Sequence, residues 1–137
     1  MRAEVGISAR RIVAVAALAG IGVALGCASA EGARGRKARV GEIQEGRASY
    51  YAKYFAGRRT ASGERYDPAL MTAAHKTLPL GTRIRVTRVG GPSVVVRVND
   101  RCGCPHGRIV DLSEAAARKL DMLRVGVVPV RLEVLRS

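Results

Sequence analysis

The stretch that decides the fold reads VVVRVNDR over residues 94–101 and continues as CGCPHGRIVDLS over residues 102–113. Its run of β-branched residues predicts a buried strand that ends at the carboxylate of Asp100. After a loop containing Gly and Pro, the chain returns to a second carboxylate, Asp111, and then enters a helix. Two acids at the ends of neighbouring rigid segments indicate a site. Each also has a structural interpretation, Asp100 as the start of a turn and Asp111 as the opening of the helix.

The segments on either side carry mostly strand patterns. Residues 82–89 alternate polar and apolar side chains, which predicts a half-buried strand, and Gly90–Pro92 predicts a hairpin into the next strand over residues 93–99. The remaining elements are a first strand over 46–55, a short segment over 71–75, an exposed loop over 57–68, a helix over 113–121 with Ser113 as its N-cap, and a last strand over 125–135. Five or six short strands with one short helix before the last strand predict a mainly β fold, a small closed barrel without exposed edges.

The N-terminus has the pattern of an export signal. Three arginines within Met1–Arg11 precede the apolar run Ile12–Leu25, which is shorter than a membrane span. We therefore expect a signal peptide over residues 1–26, with Cys27 in a lipobox-like sequence as the point of lipid attachment. Ordinary cleavage after Ala30 is the alternative. Residues 27–42 are small, polar and basic, which predicts a flexible linker before a barrel over residues 43–136.

The charge balance indicates anionic partners. The chain has 24 Lys and Arg against 11 Asp and Glu, a net charge of +13, and such a surface attracts polyanions. Outside the cytoplasm these are membrane surfaces and cell-wall polymers. Nucleic acid is not predicted as a partner, because the chain has one Phe, no Trp and no RNA-binding signature.

Five segments in order resemble one family: residues 46–51, 59–67, 72–82, 96–101 and 107–117. They are similar to the rare lipoprotein A family of bacterial lipoproteins. The resemblance implies a six-stranded double-psi β-barrel and an endolytic lytic transglycosylase. Such an enzyme cleaves peptide-poor peptidoglycan glycan strands to 1,6-anhydro-muramyl ends in cell-wall remodelling and division.

The same resemblance implies a location and partners. We expect a protein of the cell envelope, anchored to a bacterial membrane through its N-terminal lipid and facing the periplasm, with the outer membrane as the expected one. Many family members also carry a C-terminal peptidoglycan-binding repeat. This sequence does not show one, so partners at the division site are left open.

The resemblance places three catalytic candidates. Asp100 matches the family's acid, and a single carboxyl group suffices for a transglycosylase if it is protonated at the start of the reaction. His75 would orient Asp100 or bind a sugar, or else bond to the backbone beside a turn. Glu64 would bind saccharide hydroxyls or assist with protons, or else be a solvated loop acid.

Four further residues are expected to bind substrate, by similarity to the related expansin-like barrels. Asp111 matches the second acid of those barrels, while Ser49 and Tyr51 lie where they contact glycan, although Tyr51 could equally belong to the core. Arg101 is expected to point into the groove.

The sequence departs from the family directly after Arg101, where Cys102-Gly-Cys104 replaces a Gly-Pro-aromatic motif. The loss of that aromatic keeps open a second function, a non-catalytic, expansin-like module that binds peptidoglycan or loosens the wall. In an oxidising compartment the two cysteines predict a local disulfide or free thiols. Cys102, Cys104 and His106 stand at every second position, a spacing that could bring them together as ligands of a soft metal. No fourth ligand is visible, so neither a metal nor a cofactor is expected.

Overall fold

The computed structural model describes residues 37–136. The predicted signal peptide over residues 1–26, the lipid attachment at Cys27, the alternative cleavage site after Ala30 and the linker up to residue 36 lie outside the described residues. Within residues 37–136 no helix is both long enough and apolar enough to cross a membrane.

Six strands close into a barrel. They are β1 (Ile43–Tyr50), β2 (Thr72–His75), β3 (Arg83–Arg88), β4 (Ser93–Asp100), β5 (Arg108–Leu112) and β6 (Val128–Val134). Among residues 37–136 there is one α-helix, α1 (Glu114–Lys119), which precedes β6, and one 3₁₀ turn (Lys53–Phe55), which follows β1. Around the barrel the order is β1-β5-β2-β4-β3-β6, with β6 paired to β1. The prediction of a mainly β barrel with one short helix before the last strand is confirmed.

Two of the strand pairs are parallel, and the order of the strands determines where the long connections run. Strand β1 pairs with β5 and β2 pairs with β4 in parallel, while the other four pairs are antiparallel. In the barrel β5 lies between β1 and β2, and β2 lies between β4 and β5, so the β1–β2 and β4–β5 connections must each pass across an intervening strand. These two connections, residues 51–71 and 101–107, carry most of the candidate site.

The barrel interior is filled by the apolar face of each strand. Along β4, Val94, Val96 and Val98 are buried, and Val96 lies opposite Ile84 of β3 in the strand register. These β-branched side chains suit the pleated surface and anchor the strand that ends at Asp100. The buried core is Ala48, Ala73, Leu78, Ile84, Val86, Val94, Val96, Val98, Val110, Leu112, Ala116, Ala117, Leu120, Met122, Val128, Val130, Leu132 and Val134.

The first strand differs from its prediction. It begins at Ile43, because residues 43–48 pair with β6, and it ends at Tyr50 rather than continuing to Phe55. Beyond Tyr50 the Tyr51 N–H still donates to the Leu112 carbonyl at 2.9 Å, after which the chain leaves the sheet and forms the 3₁₀ turn. The prediction of a strand through Phe55 was therefore wrong.

The helix begins as predicted. Ser113 caps α1, its Oγ accepting a hydrogen bond from the Ala116 N–H at 3.3 Å, and Glu114 lies in the first turn. A side-chain acceptor at this position satisfies one of the free N–H groups that begin every helix. The cap also ends the strand that carries Asp111.

Candidate active site

Two acids lie on either side of one small residue across the strands. Ala74 of β2 is in register with Asp100 of β4 on one side and with Asp111 of β5 on the other. Ser49 of β1 extends this row, since it pairs with Asp111. Residues in register on adjacent strands face the same side of a sheet, and strands are about 4.8 Å apart. The two acids are therefore separated by two strand spacings, with only a methyl side chain between them.

Three hydrogen bonds hold the Asp100 carboxylate. Oδ1 accepts from the backbone N–H groups of Ala61 and Arg101, both at 2.8 Å. Oδ2 accepts from the hydroxyl of Tyr51 at 2.6 Å. Because both backbone donors point at Oδ1, Oδ2 is the oxygen that can carry a proton. The turn interpretation of Asp100 accounts for the bond to Arg101, but not for the bonds to Ala61 and Tyr51, which come from distant parts of the chain.

An aromatic cluster lies beside this carboxylate. The ring of Tyr51 packs against Tyr66, with centroids 4.5 Å apart, and edge-on against Phe55 at 5.7 Å. Tyr54 stacks on Phe55 at 4.5 Å, and the Arg58 guanidinium lies over the Phe55 ring at 5.1 Å. Burial, followed by the neighbouring Asp100 carboxylate, raises the pKa of Tyr51 above its usual range. Tyr51 therefore keeps its proton and can serve as a donor to Asp100.

The acids and the aromatic cluster line one groove of about 340 Å³. Asp100 and Asp111 come from strand ends, and the walls come from the two long connections. The lining residues are Tyr51, Phe55, Arg58, Arg59, Thr60, Tyr66, Asp100, Arg101, Cys102, Gly103 and Asp111. Carboxylates, aromatic rings and arginines in one groove match the needs of a sugar chain, whose ring faces stack on aromatics and whose hydroxyls bond to charged groups. A larger cleft of about 480 Å³ lies elsewhere, between α1 and residues 68–71, and contains neither Asp100 nor Asp111.

Glu64 does not line the groove, but its loop reaches Asp100. Both Glu64 oxygens bind the Arg97 guanidinium, at 2.6 and 2.9 Å, and these hydrogen bonds lower the pKa of Glu64. A tight turn at Gly63, which has a φ of 90°, places Ala61 against Asp100 and the Ser62 N–H on the Asn99 carbonyl at 3.1 Å. The ion pair therefore ties the loop to the strand that ends at Asp100.

His75 is buried and faces away from Asp100. Its Nδ1 accepts from the backbone N–H groups of Thr77 and Leu78, both at 3.1 Å, so Nε2 carries the proton and donates to Gln44 Oε1 at 2.9 Å. These contacts match the alternative interpretation, a histidine bonded to the backbone beside a turn. Burial, and then the charge of Arg101, lower the pKa of His75 from 6.5 to about 4. The residue is therefore neutral at ordinary pH.

Arg101 and Asp111 are held by bonds that their predicted roles did not include. Arg101 lines the groove, yet its guanidinium donates to the carbonyls of Leu78 at 2.6 Å and His75 at 3.2 Å. Asp111 accepts a hydrogen bond from the hydroxyl of Ser49, which is itself buried. Arg101 thus ties the loop after Asp100 to the turn after β2, and Ser49 orients the second acid.

The two loop cysteines form a disulfide. Cys102 and Cys104 are bonded, with their Cα atoms 5.1 Å apart. Cys102 and Gly103 line the groove, while His106 lies along a different pocket together with His75 and Lys76. The sequence allowed either a disulfide or free thiols, and the structure contains the disulfide.

Three contributors to the site, Phe55, Tyr66 and Ala61, were not predicted from the sequence. Ala61 acts through its backbone N–H, which no side-chain pattern reveals. The aromatic residues did leave a signal: the chain has only four Tyr and one Phe, and four of these five rings, residues 51, 54, 55 and 66, form the cluster beside Asp100.

The barrel and its groove define a class of protein, the double-psi β-barrels that carry acids at the ends of crossing strands. A family model described as "Lytic transglycolase" matches residues 43–132. The chain belongs to this lytic transglycolase family, and the resemblance to rare lipoprotein A proteins is confirmed.

Curated relatives agree with this assignment. The chain is 57% identical over 94 residues to the probable endolytic peptidoglycan transglycosylase RlpA of Nostoc sp., covering 66% of this chain and 25% of that protein. It is 48% identical over 97 residues to the endolytic peptidoglycan transglycosylase RlpA of Campylobacter jejuni, covering 70% and 35%. The RlpA of Vibrio cholerae is 47% identical over 108 residues, covering 74% and 41%. The chain therefore spans between a quarter and about two fifths of the length of these relatives.

Solved structures share the fold. The Streptomyces papain inhibitor is 28% identical with a TM-score of 0.58, covering 71% of this chain and 97% of the inhibitor. A Clavibacter michiganensis expansin mutant, solved in complex with cellohexaose, is 28% identical with a TM-score of 0.57, covering 69% and 51%. The same barrel thus occurs in proteins with different names and partners, so this chain's function has to be argued from its own groove.

We predict that His75 makes the fold sensitive to acid. Its folded pKa of about 4 lies below its ordinary value of 6.5, so between these values the unfolded chain binds more protons than the folded one. The free energy of unfolding should therefore fall as the pH drops from 6.5 to 4, by at most about 1.4 kcal/mol per pH unit from this residue. Urea unfolding at a series of pH values measures it.

The matched control is the chain's other histidine. His75→Gln should flatten the pH dependence in this window, whereas His106→Gln, at an exposed position, should leave it in place. An unchanged slope in His75→Gln would show that other groups cause the acid sensitivity.

Proposed function

We propose that this chain is an endolytic peptidoglycan lytic transglycosylase that cleaves peptide-poor glycan strands, with Asp100 as its acid and base. One observation carries the proposal. A carboxylate at the floor of an aromatic-lined groove has backbone donors on one oxygen and the Tyr51 hydroxyl on the other. The family assignment and the names of the curated relatives support the same chemistry.

The reaction needs one group that first gives and then takes a proton. Protonated Asp100 donates from Oδ2 to the glycosidic oxygen, and the bond to the muramyl C1 breaks. The resulting carboxylate then accepts the proton of the same sugar's 6-hydroxyl, whose oxygen closes onto C1 as a 1,6-anhydro ring. No water is consumed. Tyr51 is a positioning residue here, because its hydroxyl donates to a lone pair of Oδ2 and so holds that oxygen in place while its proton leaves and returns.

The second acid suits binding better than chemistry. Asp111 is separated from Asp100 by the width of β2, and the buried Ser49 hydroxyl donates to it. A sugar ring placed above Ala74 would present hydroxyls to both acids, and the aromatic cluster would stack a neighbouring ring. The groove therefore holds the strand at several points while a single carboxyl group carries out the reaction.

An expansin-like module that binds glycan without cleaving it is the second candidate function. The observation in its favour is the similarity in fold to an expansin solved with cellohexaose. Its groove would be used in the same way up to the proton transfer.

Replacing the carboxyl group of Asp100 with an amide should abolish cleavage without changing the shape of the groove. Asp100→Asn keeps the shape of the side chain but cannot act as acid and base, so turnover should fall by about 100-fold or more. Mass spectrometry of amidase-treated glycan strands measures this as the yield of 1,6-anhydro-muramyl ends. Asp121→Asn, at an exposed position beyond α1, is the control and should cleave normally.

Two outcomes would decide against the catalytic proposal. If the wild-type chain binds strands but yields no anhydro ends, the expansin-like function is selected. If Asp100→Asn yields as many ends as wild type, another group carries the reaction.

The role of Glu64 can be separated from chemistry by a double-mutant cycle. If the Glu64–Arg97 pair acts by holding the loop whose Ala61 N–H binds Asp100, then Glu64→Gln, Arg97→Gln and the double variant should lose similar activity, about 3- to 30-fold. If Glu64 itself moves protons, Glu64→Gln should be far less active than Arg97→Gln. Turnover measured on the same glycan strands distinguishes the two roles.

We also propose that the chain is lipid-anchored in the cell envelope, facing the periplasm, at the outer membrane. The support is the basic and apolar N-terminal pattern ending at Cys27. A thioether-linked lipid on that cysteine would hold the groove within reach of the wall. Partners at the division site would then depend on parts of the molecule other than the groove.

The anchor has its own test. Cys27→Ser should move the protein from the membrane fraction to the soluble periplasmic fraction, because no acyl chain can be attached. Immunoblots of fractionated cells measure the distribution. Ala30→Leu, which blocks the alternative cleavage site, should keep the protein in the membrane fraction. Membrane association of Cys27→Ser equal to wild type would contradict lipidation.

A further inference from the structure

We propose that reduction of the Cys102–Cys104 disulfide creates a Zn²⁺ site formed by the two thiolates and the Asp111 carboxylate. The site lies at the edge of the groove. This zinc site is separate from the proposed cleavage of glycan, and the inference does not depend on that proposal.

The three proposed ligand atoms already lie close together while the disulfide is intact. The two sulfurs and one carboxylate oxygen of Asp111 all lie within 4.8 Å of one another. In tetrahedral zinc sites the Zn–S bonds are about 2.3 Å and the Zn–O bonds about 2.0–2.2 Å, which places ligand atoms roughly 3.5–4 Å apart. Breaking the S–S bond lets the sulfurs separate to this spacing. Gly103 between them can adjust, since the space around its Cα is open.

The ligand types suit zinc. Thiolates select soft and borderline metals, and a carboxylate completes a mixed set that Zn²⁺ accepts. The Ser49 hydroxyl donates to Asp111, as outer-shell partners commonly do to orient a ligating carboxylate. Cys102 lines the groove, so water can fill the fourth position.

The geometry favours Asp111 over His106 as the third ligand. Spacing in the sequence suggests His106, which alternates with the two cysteines. In the fold His106 lies along the pocket lined by Gln44, His75 and Lys76, whereas Cys102 lines the same groove as Asp111. The third ligand is thus brought in by β5 and not by the loop itself.

The Cys102–Cys104 disulfide is of a kind that can be reduced. It closes a loop with one intervening residue, and a cross-link stabilises less as the loop it closes becomes shorter. A thioredoxin-class dithiol would supply the two electrons. Its thiolate attacks one sulfur, and the reductant then leaves as a disulfide while Cys102 and Cys104 become thiols. Zinc binding releases the two thiol protons to solvent.

The test uses the full chain carrying Cys27→Ser, so that the loop cysteines are its only thiols. The protein is reduced without oxygen by a water-soluble phosphine, which becomes the phosphine oxide, and is titrated with Co²⁺ and then with Zn²⁺. We expect one Co²⁺ per reduced chain, with thiolate-to-cobalt charge-transfer absorption, and its displacement by one Zn²⁺. The oxidised chain should show no such absorption.

Two variants assign the third ligand. Asp111→Asn should weaken Zn²⁺ binding by at least about 10- to 100-fold and alter the cobalt spectrum, while His106→Ala should bind Zn²⁺ as the parent does. Circular dichroism of each reduced variant checks that the barrel is folded. The proposal is overturned if the folded reduced chain takes up no stoichiometric metal, if Asp111→Asn binds as tightly as the parent, or if His106→Ala is the variant that loses affinity.

Discussion

The pairing of β2 between β4 and β5 is the constraint on which the candidate site depends. This strand has four residues, all buried, and is hydrogen-bonded on both sides. Its register places Asp100 and Asp111 on either side of Ala74. A shift of one residue would turn one of the acids to the opposite face of the sheet, because side chains alternate along a strand. The buried hydrogen bonds of His75 hold the end of this strand, and its neutral state avoids placing a charge in the core.

The strand order explains why the groove is built from distant parts of the chain. Because β5 lies between β1 and β2, and β2 lies between β4 and β5, each of the two connections passes across a strand, and each forms one wall of the groove. Tyr51 reaches Asp100 across 49 positions of sequence, and Ala61 does so across 39. The contacts of Asp100 with Tyr51 and Ala61 therefore form only when these distant segments of the barrel come together.

Much of the fold could be predicted because its signals are local. Alternation identified β3, a run of β-branched residues identified β4, the Gly-Pro turn identified their hairpin, and Ser113 identified the start of the helix. The end of β1 could not be predicted, because it is set by pairing with β5, where Tyr50 opposite Leu112 is the last pair in register. The positions of both acids could also be predicted, since each ends a recognisable strand. The partners of Glu64 and His75 could not, because Arg97 and Gln44 lie 33 and 31 positions away.

The departure from the family in residues 102–104 changes less of the groove than the sequence suggested. The aromatic that this loop lacks would have been contributed by the connection between β4 and β5. In the structure the connection between β1 and β2 supplies Tyr51, Phe55 and Tyr66 to the same groove. Rings from one wall can stack a sugar without a ring on the other wall, since stacking needs one face. The wall formed by the β4–β5 connection is then available for other chemistry. There the sulfurs of Cys102 and Cys104 lie within 4.8 Å of a carboxylate oxygen of Asp111.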